Sequence, residues 1–273
     1  RVLREMIAIV SDKPQTTRTR ILGVAHVEGA QIVFLDTPGL HEPRHLLNRR
    51  MVRTTLETFD DADVLYMVVD ATTEPGPGDL AAIGHMREAL AKHARPVVLV
   101  INKVDLVNKT RLLPRMDQYA RLFPWTEVVP ISAETGDNVD RLLSVTVGLL
   151  PEGEAAYGED MVTDQSMRTL AAELIREKVL RQTYEEVPYS VAVEIEAFEE
   201  SKKLIKITAA VLVEKESQKG IVIGKQGERL KQVGTEARQD MERLFGAKVF
   251  LQLWVKVRDA WREDEQVLME LGY

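Results

Sequence analysis

Three polar residues at close spacing follow an entirely aliphatic stretch of this sequence. Residues 97–101 predict a buried strand, and Asn102, Lys103 and Asp105 come directly after them. In open α/β sheets, ligands bind beyond the carboxyl ends of the strands. A carboxylate there can accept hydrogen bonds from the N1–H and amino groups of guanine, a donor pair that adenine lacks. We therefore expect Asp105 to recognise guanine, Asn102 to brace the loop and base, and the Lys103 stem to cover the purine face.

A second motif, Asp-Thr-Pro-Gly at residues 36–39, follows another predicted strand. An aspartate at a strand end can reach Mg²⁺ through water. The N–H group of a glycine can approach a γ-phosphate because no Cβ is in the way. In the polar loop upstream, the hydroxyl of Thr16 or Thr17 can reach the same metal. The sequence therefore predicts a site for Mg²⁺ and a γ-phosphate around Asp36 and Gly39.

Strand and helix patterns alternate through the first 150 residues, which predicts a doubly wound, mostly parallel α/β sheet. A short strand at 128–131 ends in Ser132 and Ala133, where a backbone N–H group can meet the O6 atom of guanine. In this order the motifs resemble those of the G domains of translation-factor-type GTPases. The resemblance implies a P-loop-NTPase-like fold.

The phosphate loop of such domains, Gly-x-x-x-x-Gly-Lys-Ser/Thr, does not occur in this sequence. We expect that the sequence is truncated at its start. The missing segment is then expected to carry the phosphate loop and a central strand, which leaves a gap in the sheet and impairs hydrolysis by this chain. Leu40 stands where Ras-like enzymes carry a water-positioning glutamine. Hydrolysis by the intact protein is therefore expected to be slow, or to need backbone groups, a cation or a partner.

A different motif, Ile-Gly-Lys-Gln-Gly at residues 223–227, precedes a predicted helix at 228–245. Its two glycines allow a nucleic-acid backbone to approach main-chain N–H groups at the helix N-terminus, as in the loop of KH domains. Predicted strands at 189–198 and 204–213 precede it and one at 248–257 follows, which predicts an α+β type II KH domain. The RNA-binding residues expected are Ile223, Gly224, Lys225, Gln226, Gly227, Arg229 and Lys231.

Charge and composition divide the 273-residue chain into two parts. The net charge is −7, yet residues 202–262 hold 14 Lys or Arg against 7 Asp or Glu, a local charge of +7 that indicates a polyanion-binding module. Residues 151–165 begin with a run of Pro, Gly and acids and are expected to link a G domain at 1–150 to a KH domain at 166–273. The absence of cysteine excludes disulfides and thiolate metal sites.

The whole chain resembles the Era family of bacterial GTPases, in which a G domain precedes a KH domain. The matching stretches are 14–18 (Pro-Gln-Thr-Thr-Arg), 36–39, 102–105, 223–227, 234–238 and 251–257. The resemblance implies GTP or GDP and Mg²⁺ as ligands. It implies Thr17, Asp36 and Gly39 as catalytic residues, with Thr17 and Asp36 at the metal, the latter through water. The nucleotide-binding residues that it implies are Asp36, Thr37, Pro38, Gly39, Asn102, Lys103, Asp105, Ser132 and Ala133.

The same resemblance implies the partners. They are the 3′ end of small-subunit ribosomal RNA and the small ribosomal subunit, whose assembly the protein assists. It also implies a cytoplasmic monomer that associates peripherally with the cytoplasmic face of the membrane.

Alternative interpretations stay open at this point. Asp105 could cap the next helix, residues 36–39 could form an ordinary Pro-Gly turn, and the threonine pair could be solvated. Trp254 and Trp261 could be stacking platforms or core residues. As a whole, the chain could be an RNA-binding KH protein with a degenerate, nucleotide-free G domain, whereas Asp105 argues against an adenine nucleotidase.

Overall fold

The computed structural model describes residues 2–3, 5–40, 43, 45–201 and 203–273. Strands and helices alternate through its first half, as the sequence predicts. They are β1 (Ile21–Val27), β2 (Ala30–Asp36), α1 (Leu46–Asp61), β3 (Leu65–Asp70), α2 (Pro77–Lys92), β4 (Val97–Asn102), α3 (Lys109–Ala120), β5 (Glu127–Pro130) and α4 (Val139–Leu149).

The aliphatic run of the sequence forms β4, the central strand of a parallel sheet of order β3-β4-β5. Leu99 and Ile101 face a core that α2 and α3 contribute to, whereas Val98 and Val100 pack toward α4. All four side chains are at most 1% exposed. The run is uninterrupted because both faces of the sheet are covered, so no position of the strand faces water.

Strands β1 and β2 form an antiparallel hairpin that is not paired with this parallel sheet among the described residues. The chain reverses at Gly29, whose φ of 75° lies in the left-handed region that favours glycine. A cavity of about 1320 Å³ separates the hairpin from β3 and is lined mainly by β2, β3, the end of α4 and residues that follow it. The predicted gap in the sheet is therefore present.

Residues 151–165 contain no named helix or strand and run beside the hairpin. The N–H group of Val24 donates to the carbonyl of Val162 at 2.8 Å, and the Thr163 hydroxyl donates to the Leu22 carbonyl at 2.7 Å. This segment therefore packs along β1, although its composition alone indicates only a boundary.

The second half contains α5 (Met167–Gln182), β6 (Ala192–Glu200), β7 (Leu204–Val213), α6 (Glu216–Ile223), α7 (Glu228–Phe245), β8 (Lys248–Val257) and α8 (Glu265–Glu270). Strand β7 pairs antiparallel with β6 and parallel with β8. One core cluster joins this sheet to α5, α6 and α7. The α+β arrangement with its last strand after the helices confirms the predicted type II KH fold.

The opposite face of the β6-β7-β8 sheet packs against α1 and the end of the chain. Leu47 and Met51 of α1 share a core cluster with Trp261 and Leu268. Trp261 is fully buried and its indole N–H donates to the Ser190 carbonyl at 2.9 Å, while Trp254 is half-buried beside the same cluster. Both tryptophans are therefore core residues rather than free stacking platforms.

Two local features differ from the sequence prediction. A strand is expected to start at Tyr189, but residues 187–190 form a 3₁₀ turn that begins next to Pro188, and β6 starts at Ala192. The short helix α8 is not predicted, because six residues carry too little periodicity to detect.

No helix of the described chain combines the length and apolar character that crossing a membrane requires.

Candidate functional site

The carboxyl ends of β3, β4 and β5 bring several of the predicted residues together. The Asn102 carbonyl oxygen Oδ1 accepts hydrogen bonds from the N–H groups of Lys103 at 2.8 Å and Ala133 at 2.9 Å. The second bond ties the end of β4 to the loop after β5. In this structure the Ala133 N–H therefore points to Asn102, and its contact with guanine O6 stays a prediction.

Lys103 turns the chain out of β4 in a left-handed conformation with φ of 66°. Its ammonium Nζ lies 2.7 Å from Oδ2 of Asp70, the last residue of β3. Burial raises the pKa of Asp70, but the hydrogen bonds from Lys103 and Thr72 outweigh it and hold this pKa below its ordinary value. The Lys103 stem thus spans the ends of two neighbouring strands, where a flat ligand could rest on it.

Asp105 lies in a 3₁₀ turn at Val104–Leu106 and is exposed. Within the described part of the chain its carboxylate makes no hydrogen bond or ion pair. The cap of α3 is Asn108 instead, whose Oδ1 accepts from the N–H group of Arg111 at 3.0 Å. The alternative that Asp105 caps this helix is therefore wrong, and the carboxylate remains available to a ligand.

Ser132 contributes to the loop through its own hydrogen bonds. It is fully buried, and its hydroxyl oxygen accepts from the N–H group of Thr135 at 3.1 Å while its backbone N–H donates to the Asp137 carbonyl at 3.0 Å. These bonds hold the loop that presents Ala133. The Ser132 side chain thus stabilises the loop, and its predicted role in nucleotide binding stays a prediction.

Thr17 and Asp36, the predicted metal-site pair, lie in direct contact. The Thr17 hydroxyl donates to Asp36 Oδ2 at 3.1 Å, whereas the Thr16 hydroxyl donates to the Lys13 carbonyl at 2.7 Å. The geometry therefore separates two threonines that their spacing alone leaves equivalent, and it places Thr17, the one that the family resemblance selects, beside Asp36. Desolvation by surrounding protein atoms raises the pKa of Asp36, and hydrogen bonds from Thr17 and the Thr37 N–H oppose that rise.

A hydroxyl beside a carboxylate suits Mg²⁺, a hard cation that prefers oxygen ligands. Among the described residues there is no group of three or more His, Cys, Asp or Glu that could hold a metal by itself. Mg²⁺ in nucleotide sites is usually held by one or two side chains together with phosphates and water. Thr17 and Asp36 therefore fit a nucleotide-dependent metal site, and when bound the ion would neutralise phosphate charge there.

The residues after Asp36 are partly fixed by α1. Pro38 is buried and its carbonyl accepts from the Thr55 hydroxyl of α1 at 2.7 Å, whereas Thr37 is half-buried and Gly39 exposed. Residues 36–39 are therefore not a free Pro-Gly turn at the surface, because Pro38 is buried and bonded to α1. The predicted metal-site pair, Thr17 and Asp36, lies at the end of β2, and no hydrogen bond or ion pair in the described chain joins it to the residues that are predicted to recognise guanine.

The Gly-Lys-Gln-Gly loop at residues 224–227 has a backbone that needs both of its glycines. Gly224 has φ of 75° and ψ of 178°, and a Cβ there would lie 2.8 Å from the Arg229 Cβ. Gly227 has φ of 81° and is the N-cap residue that precedes α7. Ile223 packs against the core, and the Arg229 guanidinium donates to the Ile221 carbonyl at the end of α6, so these two predicted residues are partly structural.

A groove of about 400 Å³ runs from this loop between α7 and β8. Lys231 lines this groove, Lys225 and Gln226 lie in the adjoining loop, and all three are exposed. Neither lysine ammonium has a hydrogen bond or ion pair within the described residues. A helix N-terminus with free cations beside it favours a phosphate backbone. The groove is lined by Gly227, Leu230, Lys231, Gly234, Thr235, Arg238, Leu251 and Leu253.

Of the residues that line this groove, the sequence predicts only Gly227 and Lys231 as RNA-binding residues. The i, i+4 spacing of Leu230, Gly234 and Arg238 is the signal that could have found its helical wall, because such residues share one face of a helix. Asp70, the partner of Lys103, was missed as well. Its position at a strand end beside β4 is visible only once the strands are paired.

Together, fold and sites define a class: a G-domain-type α/β unit joined to a KH-type nucleic-acid-binding unit. Family models agree with both halves. Residues 1–103 match the family described as 50S ribosome-binding GTPase, and residues 186–262 match the KH domain family.

Relatives match along the whole chain. GTPase Era of Syntrophus aciditrophicus is 49% identical over 100% of this chain and 88% of its own length, and GTPase Era of Staphylococcus haemolyticus is 43% identical over 100% and 90%. Era in complex with MgGDPNP and nucleotides 1506–1542 of 16S ribosomal RNA superposes with a TM-score of 0.92 at 40% identity, over 98% of this chain and 90% of that one. A point variant of Aquifex aeolicus Era bound to GDP·AlF4⁻ gives a TM-score of 0.93 at 40% identity, over 100% and 92%. The chain belongs to the Era family of GTPases.

Proposed function

We propose that this protein is a GTP-hydrolysing switch that binds the 3′ end of small-subunit ribosomal RNA and assists assembly of the small ribosomal subunit. Nucleotide binding is supported by one group of residues at the carboxyl ends of β4 and β5, which we call the guanine edge: Asn102, Lys103, Asp105 and Ala133. There Asn102 holds the Ala133 loop, and the Asp105 carboxylate has no partner among the described residues. A buried strand that ends in a braced loop and a free acid has the chemistry to select guanine over adenine.

In this proposal each residue of the guanine edge has its own part. Asp105 accepts hydrogen bonds from N1–H and the amino group, and the Lys103 stem supports the purine face. Asn102 positions the Ala133 amide, which reorients toward O6 when the base arrives. The anchored Lys103 ammonium supports this assignment, because its ion pair with Asp70 fixes the stem before the base binds.

At the phosphate end, Thr17 and Asp36 hold Mg²⁺, Asp36 through water, and Gly39 presents its backbone N–H to the γ-phosphate. The contact of Thr17 with Asp36 supports the pairing. Leu40 cannot orient water, so we propose that hydrolysis is slow and relies on backbone groups, a cation or a partner.

The RNA half rests on the loop and groove of the KH unit. Gly224 and Gly227 let the RNA backbone approach α7, and Lys225 and Lys231 supply positive charge that no described residue pairs. Ile223, Gln226 and Arg229 shape the same loop. A relative of 40% identity was crystallised with nucleotides 1506–1542 of 16S ribosomal RNA, which supports the 3′ end as the target.

The proposal assigns residues 1–150 to a G domain, 151–165 to a linker and 166–273 to the KH domain. Ordering of the Thr17 and Gly39 loops by the γ-phosphate biases the G domain against the KH domain, and hydrolysis releases both loops and the RNA. We further propose a cytoplasmic monomer, with peripheral membrane association.

Nucleotide preference tests the guanine site. Fluorescent derivatives of guanosine diphosphate and xanthosine diphosphate are titrated with Mg²⁺ into two chains. One is this chain, and the other is a chimera in which a Gly-x-x-x-x-Gly-Lys-Ser/Thr segment precedes it. Asp105→Asn is made in each. We expect the chimera to prefer guanine and its variant to prefer xanthine, because an amide can donate to the xanthine carbonyl.

Two results would favour other conclusions. Binding by neither chain would support the alternative, in which the G domain is degenerate and the KH unit alone carries the function. Binding by the chimera with no change of preference in Asp105→Asn would remove Asp105 from the site.

A further inference from the structure

Two buried arginines connect the Thr17 loop to the KH unit. Arg18 follows Thr17 in the sequence and is 5% exposed, and Arg176 of α5 is fully buried. A guanidinium is costly to bury and is normally compensated by a carboxylate. The groups that surround these two guanidinium groups must therefore compensate their charge.

Arg18 reaches from the loop into the KH unit and meets carbonyl groups there. Its Nη1 donates to the Val191 carbonyl at 2.7 Å, and its Nη2 donates to the carbonyls of Pro188 and Tyr189 at 3.4 Å each. The guanidinium also lies 5.8 Å from the ring centroid of Trp261. No carboxylate lies within ion-pair distance of it among the described residues, so carbonyl dipoles and ring faces compensate the charge together with the more distant carboxylate of Glu173.

Arg176 acts on the residue before Thr17. Its Nη2 donates to the Thr16 carbonyl, while its Nε donates to Glu173 Oε1 at 2.8 Å on the same helix. Glu173 thereby fixes the plane of the guanidinium that holds the loop. The two neighbours of Thr17 are thus both held by the KH unit, one through its side chain and one through its carbonyl.

The helix that carries Arg176 is itself bound to the helix that follows the RNA loop. Lys178 of α5 forms ion pairs with Glu177, at 2.7 Å, and with Asp240 of α7. Lys178 and Asp240 are both nearly buried, at 5% and 9% exposed. A path of polar contacts and helix packing therefore runs from α7 through α5 to Thr16 and ends one residue from the Thr17–Asp36 contact.

We infer that Arg18 and Arg176 are positioning residues through which the KH unit sets the position of the Thr17 hydroxyl relative to Asp36. The inference deepens the proposed function and rests on it for the role of Thr17. Coupling between two sites is reciprocal. RNA bound at the KH loop therefore favours the ordered Thr17 loop by the same free energy by which the ordered loop favours RNA binding. A lysine at either position keeps the charge but loses the planar, multidentate donor geometry.

Hydrogen exchange of the chain without nucleotide tests the positioning directly. Arg18→Lys and Arg176→Lys are compared with Arg20→Lys, a matched control whose guanidinium pairs with Asp61 at the surface. We expect exchange at residues 15–19 to rise about tenfold in the first two variants and to stay unchanged in the control, as a local opening does. Exchange in β7 should not change. An equal rise throughout the KH unit, or no rise at 15–19, would overturn the inference.

A second arm adds an RNA with the sequence of the 16S 3′ end and follows both its binding and the exchange at residues 15–19. We expect the RNA to slow exchange there in the parent chain and in Arg20→Lys, and to have no effect in Arg18→Lys even though the RNA still binds. If RNA binds and residues 15–19 do not respond in the parent chain, the inference fails while the proposed function stands. If no RNA binds, the proposed RNA function fails, and the comparison of variants without RNA decides the positioning role.

Discussion

Asn102 holds the loop after β5 in place by accepting a hydrogen bond from the N–H group of Ala133 at 2.9 Å, across 31 positions of the sequence. The same oxygen accepts from the N–H group of Lys103 at 2.8 Å. One side chain thus sets the spacing between the two loops that are expected to meet the base.

Replacing Asn102 with alanine removes that brace. Both released N–H groups lie at the surface and can bond to water, so we expect unfolding free energy to fall by only about 1 kcal/mol. Guanine nucleotide affinity of the chimera should fall at least about tenfold, because the loop must then be ordered by the ligand. Calorimetric titration with GDP measures the affinity, and urea unfolding measures the stability.

The control for this change is Asn108→Ala, which removes the cap of α3 at a similar stability cost of about 1 kcal/mol. It leaves the guanine edge intact and should leave nucleotide affinity unchanged. Equal losses of affinity in both variants would show that the effect of Asn102 is one of general stability.

Gly224→Ala should disable the KH loop. The residue has φ of 75° with ψ of 178°, and a Cβ there would clash with Arg229 at 2.8 Å. We expect a loss of roughly 2–3 kcal/mol of unfolding free energy in the KH unit, together with loss of RNA binding. Gly227→Ala is the comparison, since its φ is also positive but its Cβ would meet nothing within 4 Å. Equal destabilisation by both substitutions would argue against the clash.

Lys231→Gln should weaken RNA binding without changing stability, because this ammonium has no partner among the described residues. If it contacts a phosphate, the dependence of log affinity on log salt becomes shallower by about one unit or slightly less. Fluorescence anisotropy over a range of salt concentrations measures the slope. Lys92→Gln, in the last turn of α2, is the control. An unchanged slope in Lys231→Gln would place that lysine outside the RNA interface.

The ion pair between Glu214 and Arg262 should make stability sensitive to acid. Arg262 Nε and Nη2 lie 2.9 and 2.6 Å from the two oxygens of Glu214. Burial raises the pKa of Glu214, but the hydrogen bonds and charge of Arg262 outweigh it and lower this pKa below its ordinary value of 4.5. The folded state thus binds the proton more weakly than the unfolded chain does. The stabilisation is complete above the unfolded pKa and is lost as pH falls through the lower folded pKa.

Glu214→Gln measures this contribution. We expect the variant to be about 2 kcal/mol less stable than the parent at neutral pH, and the difference to shrink as pH falls below 4.5. Urea unfolding at neutral and acidic pH gives both values. Glu57→Gln, which breaks an exposed i, i+4 pair with Arg53, should change stability little at any pH. A constant difference down to low pH would contradict the assignment.

Local sequence patterns predict most of the strands, helices and binding loops of this protein. The contacts of individual site residues depend instead on which distant parts of the chain the fold brings together. The aliphatic run and the Gly-x-x-Gly loop identify β4 and the start of α7, because each pattern is complete within a dozen residues. Arg18 is different, since its acceptor Val191 lies 173 positions away and nothing near it in the sequence announces a buried guanidinium. The family resemblance already selects Thr17 over Thr16, but the contact of Thr17 with Asp36 depends on where β2 brings that aspartate.

RNA affinity measured with two orthogonal nucleotides shows whether the nucleotide recognised by Asp105 controls RNA binding by the KH loop. The chimera and its Asp105→Asn variant are titrated into labelled 16S 3′-end RNA with a non-hydrolysable analogue of either GTP or xanthosine triphosphate. We expect the GTP analogue to tighten RNA binding by the parent chimera and the xanthosine analogue to tighten it in the variant, each about tenfold. RNA binding that ignores both nucleotides in both chains would contradict this expectation.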